Sequence, residues 1–228
     1  MSKTKKEKEM TIKDELLNTL GKSEGTTYTI PNNLTILPLR DIVIFPNMIF
    51  PVLIGRTSSL KAVAEAVERD KYIFVTAQKA PNIDEPAFKD IYTKGTTAKI
   101  IQILRLPNNL LKVLIEGLFQ SRITKKLKNE EFLEATITPT FVKFSDDDKE
   151  LQALIRYTSD LFADYVKNNH SMPPEIVAAY ENIDDPQRKL YYAAANVQTK
   201  VEIKQKLLEL PTVEQQYFEL STKLNAEI

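Results

Sequence analysis

The stretch "LPLRDIVIFPNMIFPVLIGR", residues 37 to 56, restricts the fold more than any other part of this chain. No charge lies between Asp41 and Arg56, most side chains there are large and apolar, and Pro46 and Pro51 divide the run. A membrane span is excluded on length, because the uncharged run from Ile42 to Gly55 is shorter than the roughly 18 to 20 residues a spanning helix needs. The two prolines would also remove helical hydrogen bonds that lipid cannot replace. Two readings remain for the middle, "IFPNMIF": it folds inward as core, or its tip stays outside as a surface for another protein. Phe45 and Ile49 fit either reading. Met48, beside Asn47 in a turn, is expected to be exposed.

Composition narrows the function. Lys plus Arg equals Asp plus Glu, 31 each, so the net charge is zero over 228 residues. That balance argues against nucleic acid as the main partner, because binding phosphates takes a basic excess. The chain has no cysteine, which removes disulfides and thiolate metal sites and fits a reducing cytoplasm. The opening "MSKTKKEKEM" is charged and is followed by no apolar core, so it is no secretory signal.

The chain divides by periodicity. Residues 1 to 30 are polar and lysine-rich and are expected to be a mobile tail. From 31 to 144 the period is mostly two. "LTILPL", "FPVLIG", "KYIFVTAQ", "TAKIIQILRL", "LLKVLIEGL" and "FLEATITP" read as strands. "TSSLKAVAEAVERD" reads as one helix, with Thr57 or Ser58 at its cap and Leu60, Val63 and Val67 on one face. Asn108 and Asn109 form a hairpin turn, since asparagine tolerates positive φ. Together these predict a small, curled, barrel-like sheet. Residues 145 to 228 read as a helical bundle. Asp146, Asp147 and Asp148, then Asp184 and Asp185, stand at helix starts, Pro186 takes a first helical position, and Thr212 with Gln215 has capping-box spacing. The fold class is therefore α+β, with a β-rich part followed by helices. The last helix stops at Ile228 in mid-period, which suggests a longer natural chain.

Catalytic and metal-binding signatures are missing from the sequence. The five glycines, at 21, 25, 55, 95 and 117, make neither a phosphate-cradling loop nor a dinucleotide fingerprint. The single histidine, His170, has no cysteine or second histidine to join it, so a solvated loop residue is its plain reading. The acidic clusters are explained by capping. Arg40, Asp41, Gly55 and Arg56 read as structural, framing the turn and the helix start, with an ion pair between Arg40 and Asp41 as one way to lock that turn.

The residues resemble a known family. "LPLRDIVIFPNMIFPVLIGR", then "FVTAQK", "DEPAFKDIYTKGTTAKIIQILRLPNN", "LKVLIEGLFQSRI", "IDDP" and "KQKLLEL" follow the order seen in the N-terminal domain of Lon, the ATP-dependent protease, from about Asn33 to Ile228. The resemblance implies a β-domain of the pseudouridine-synthase-associated (PUA) type, then an α-helical subdomain whose long last helix leads toward an ATPase ring. It implies a non-catalytic domain that recognises and engages unfolded or damaged proteins for a hexameric, cytoplasmic serine protease active in protein quality control. ATP and Mg would belong to the ATPase domain and no cofactor to this chain, which alone would hydrolyse neither ATP nor peptide. Other Lon subunits would be partners through the remaining domains, and no membrane is implied. Two departures stand out. Asn108-Asn109 replaces the family's usual Asp-Gly, and Phe119 and Gln120 intervene after "EGL", so an exposed Phe119 would add apolar surface. The expected contact residues are Phe45, Pro46, Met48, Ile49, Leu106, Leu110 and Phe119. The alternatives are a stand-alone binding module that recruits a partner protein or a small ligand, or an RNA-binding module of the same fold. Tight, salt-dependent RNA binding would favour the last.

Overall fold

The computed structural model describes residues 30–142, 144 and 148–227. Most of the lysine-rich segment, residues 1–29, and Asp146, Asp147 and Ile228 lie outside the described residues. Residues from Pro31 onward form one unit. Its described residues hold six strands and six helices: β1 (Asn33–Leu39), β2 (Ile49–Ile54), α1 (Thr57–Glu68), β3 (Tyr72–Ala77), β4 (Lys94–Arg105), β5 (Leu111–Lys126), β6 (Glu134–Pro139), α2 (Lys149–Asn168), α3 (Glu175–Glu181), α4 (Pro186–Asn196), α5 (Val201–Glu209) and α6 (Val213–Glu227).

Five strands close on themselves in the order β5-β4-β3-β1-β6, because β6 pairs back onto β5. The second strand lies outside this ring and pairs only with the first half of β5, from Ile49 opposite Glu116 to Ile54 opposite Leu111. β5 is long enough to serve both: its N-terminal half carries β2 and its C-terminal half carries β6. The β4–β5 hairpin turns at Asn108 and Asn109, with φ of 61° and 58°, as their tolerance of the left-handed region predicts. The pairing of β1 with β3 is parallel, which requires the crossover that β2 and α1 supply. Helix α1 then lays Ala62, Val63 and Ala66 inward, and Thr35 Oγ1 donates to the Ala62 carbonyl at 3.1 Å. Its start differs from expectation. Arg56, not Thr57 or Ser58, is the cap residue and supplies no side-chain bond; Ser58 lies inside the helix and bonds Glu85 at 2.5 Å.

The helical caps follow the sequence. Asp148 accepts from the Glu150 and Leu151 amides, Asp185 from Arg188 at 2.7 Å, and Thr212 from Gln215 at 3.2 Å. Inside, Phe162 and Tyr180 rings meet at 4.8 Å, and the Tyr217 hydroxyl donates to the Pro186 carbonyl at 2.7 Å.

The helices pack onto the barrel through the middle of the opening stretch. Phe45 is fully buried and stacks on Tyr191 with ring centroids 5.3 Å apart. Val43, Phe45 and Ala77 thus belong to the helical core, whereas Leu37, Leu39, Ile44, Val52 and Ile54 belong to the barrel core. Polar ties reinforce the join. Lys94 Nζ donates to the Glu209 carbonyl at 2.7 Å, Gln205 to the Lys94 carbonyl at 3.0 Å, and Gln120 to the Leu208 carbonyl. The carbonyls at the end of α5 thereby find the donors that a helix C-terminus lacks.

Candidate binding face and seam

Pleat alternation decides what β2 shows to solvent. Val52 and Ile54 turn into the barrel core, while Ile49 (57 % exposed), Pro51 and Leu53 (62 %) turn outward. Register then builds the outer face strand by strand. Ile49, Pro51 and Leu53 lie beside Glu116, Leu114 and Lys112 of β5, and these lie beside Lys99, Gln102 and Leu104 of β4. Leu104 and, at the β4 irregularity, Ile101 are also exposed. The result is an open sheet face with an apolar centre of six side chains among lysines and one glutamate. Exposed apolar faces of this kind mark contacts with other molecules.

Beside this face is a cavity of about 590 Å3. It lies between the end of β1 with the following loop (Leu37 to Ile42) and the end of β2 (Val52 to Arg56), where no strand pairing joins the two. Its charged border carries Arg40, Asp41, Arg56, Asp84 and Glu85. The Arg40–Asp41 ion pair is not formed; Arg40 instead meets Asp84 at 2.6 Å. Burial, and next the like charge of Arg40, hold Arg56 below the usual arginine range, with Glu85, Asp84 and Asp41 opposing. Leu110 rests against Gly55, where a Cβ would sit 2.7 Å from its methyl.

Of the expected contact residues, only Ile49 is open. Phe45 and Pro46 are buried because the helices cover that turn. Phe119 is buried at 8 % exposure; it pairs with Thr97 just past a shift in the β4–β5 register, where Leu118 is the extra residue. Met48 is half-buried against the helical core, not exposed. Leu106 and Leu110 are half-buried at the β4–β5 turn. Leu53, Pro51, Ile101 and Leu104 were not anticipated. The period-two pattern of "IFPVLI" locates the strand, but both of its faces are apolar, so the pattern does not tell which one is outside.

His170 is exposed. Among the described residues no three histidine, aspartate or glutamate side chains converge as metal ligands, and no helix is long and apolar enough to cross a membrane.

The fold and face define a mixed α+β binding module, a small barrel buttressed by helices with an apolar sheet face left open. Residues 33–225 match the family described as the ATP-dependent protease La (LON) substrate-binding domain, and the chain belongs to that family. It is 36 % identical to the Lon protease of Escherichia coli K12 over 197 residues, 85 % of this chain and 24 % of that protein. It is likewise 36 % identical to the Lon protease of Xanthomonas oryzae over 181 residues, 79 % of this chain and 21 % of that protein. The chain thus spans under a quarter of the length of these relatives. Among solved structures, the N-terminal domain of Mycobacterium avium complex Lon protease superposes with a TM-score of 0.72 at 17 % identity, covering 86 % of this chain and all of that one. A Lon N-terminal domain protein from Xanthomonas campestris gives a TM-score of 0.57 at 12 % identity, covering 83 % and 97 %. At those identities the likeness concerns the fold alone.

Proposed function

We propose that this domain captures exposed, unfolded segments of damaged or short-lived proteins and holds them for a Lon-type protease. The observation that carries this reading is the open apolar face of β2, β5 and β4. Family membership agrees with it, since the family is described by substrate binding. On this reading the domain is not itself catalytic and binds no cofactor. ATP hydrolysis, serine-protease chemistry and assembly into a cytoplasmic hexamer belong to the remainder of a Lon-type protein.

The test is binding of the chain to a permanently unfolded reporter protein, followed by fluorescence anisotropy. An exposed aliphatic side chain contributes roughly 1.5–3 kcal/mol when a partner covers it fully. Leu53→Asp and Ile49→Asp are therefore each expected to weaken binding at least about ten-fold, with thermal stability unchanged because both side chains face solvent. Unchanged affinity in both variants would rule the face out.

A further inference from the structure

We infer that the captured segment binds as an added strand, in the seam between β1 and β2, and so is selected for a free, extended main chain. This rests on the face described above being the substrate site, and it specifies the class of segment that the site takes.

The seam is bounded by two unpaired strand edges. In antiparallel pairing, alternate residues direct both N–H and C=O to the partner strand and the others direct them away. The parity in β2 is set at its start: the Asn47 amide donates to the Gly117 carbonyl and the Gly117 amide to the Met48 carbonyl. Continuing with the observed register, Phe50, Val52 and Ile54 bond β5. Ile49, Pro51 and Leu53 direct their backbone groups to the free side. Pro51 agrees with this, since it has no N–H to give β5. β1 is similar. β6 covers only Asn33 to Thr35, the Ile36 amide turns to the same side to meet the Leu133 carbonyl, and Pro38 is next in that alternation. The Pro38 carbonyl therefore faces the seam, while Leu39 turns to the other side, where its carbonyl accepts from Gln78.

Leu37, Pro38, Leu39, Val52, Leu53 and Ile54 all line the one cavity. Its volume of about 590 Å3 falls inside the roughly 300–1,000 Å3 span of ligand clefts. A cleft walled by sheet edges and floored by aliphatic side chains suits a strand. The main chain gives affinity and alternate side chains give selectivity. An incoming extended segment would receive the Leu53 and Ile49 amides and reach the Pro51 and Pro38 carbonyls. Every second side chain would enter the cavity, between its aliphatic floor and its charged border, and the remainder would lie outward beside Ile49 and Leu53. A helical segment keeps its own backbone groups bonded and has nothing to exchange with these edges.

The probe is a fluorescein-labelled octapeptide of alternating valine and threonine, with analogues N-methylated at single positions along it. Binding is expected to fall about ten-fold or more for methylation at alternate positions and to change little for those between. The protein variants Leu53→Ala and Leu53→Pro separate side chain from amide. Proline at 53 loses only a donor that faces the seam, so the β5 ladder stays intact, and circular dichroism checks the fold. Leu53→Pro should weaken the peptide well beyond Leu53→Ala. Binding indifferent to methylation at every position, or equal weakening by the two variants, would overturn strand addition. If the unfolded reporter still binds in that case, the capture function stands and only its mode is wrong. If neither reporter nor peptide binds, both are wrong.

Discussion

Replacing Phe45 by alanine tests the join between barrel and helices. The ring is fully buried, stacks on Tyr191 at 5.3 Å, and comes from a loop whose neighbours Ile44 and Val52 belong to the barrel core. Truncating a buried phenylalanine costs about 3–5 kcal/mol, transfer and cavity together. About 0.5–1.5 kcal/mol of that is ring pairing. Domains have only about 5–15 kcal/mol in all. With a urea dependence of about 2–3 kcal/mol per molar, suited to a unit of this size, the midpoint should fall by roughly 1–2.5 M. Far-UV circular dichroism follows the helices. Tyrosine fluorescence follows the packing, undisturbed because the chain has no tryptophan. Both signals should move together in wild type and variant, since the Phe45 ring ties the two layers into one cooperative unit. A double cycle with Tyr191→Leu should return a coupling near 0.5–1.5 kcal/mol. A midpoint shift below about 0.3 M, or wild-type signals that separate into two transitions, would refute the reasoning.

Two further perturbations probe the same architecture. At Gly117 a Cβ would stand 2.5 Å from the Phe45 carbonyl oxygen, which is backbone and cannot swing aside. Gly117→Ala should therefore cost about 1–3 kcal/mol, read as a lower melting temperature, and an unchanged one would contradict the close approach. At high pH the three most deeply buried tyrosines, Tyr180, Tyr191 and Tyr217, should drive unfolding. Burial pushes Tyr180 up to about 12, against the weaker opposite pull of its Ser159 bond, and pushes Tyr191 and Tyr217 higher still. The neutral phenol is the form the folded state favours, so this stability is fully present below the unfolded value near 10 and is lost as pH rises through the folded values. Three groups at about 1.4 kcal/mol per pH unit each give a slope of about 4 kcal/mol per unit above pH 10. Phenolate absorbance from these tyrosines should appear together with loss of the circular dichroism signal. Smooth ionisation near pH 10 with the fold intact would contradict their burial.

Local rules carried the sequence reading a long way. The strands, the Asn108-Asn109 turn and the Asp148, Asp185 and Thr212 caps each depend on a few adjacent residues, so they were readable without tertiary knowledge. Where partners are distant, the reading failed. Phe45 is covered by Tyr191, which lies in a helix far along the chain, and nothing near "IFPNMIF" announces that cover. Arg40 pairs with Asp84, 44 residues away, not with its neighbour Asp41. The expectation for Phe119 failed differently. That residue follows a shift in the β4–β5 register at Leu118, which alternation within one strand does not encode.

Pro38 and Pro51 bear on how a strand edge can be left open without becoming a general template for pairing. An unprotected edge invites sheet extension, and proline at seam-facing positions is a known safeguard. Here Pro51 leaves β2 only the Ile49 and Leu53 amides to donate. At about 0.5–1.5 kcal/mol net per hydrogen bond, two donors and a few carbonyls give a reversible hold that depends on apolar side chains entering the cavity as well. On the proposed mode that weakness is useful. A folded protein has its strand edges paired or covered and offers no free main chain, whereas an unfolded one offers it at almost every residue. Contacts to the backbone therefore sort molecules by whether they are folded, largely regardless of sequence, and the aliphatic floor of the cavity favours a segment that a folded protein would have buried.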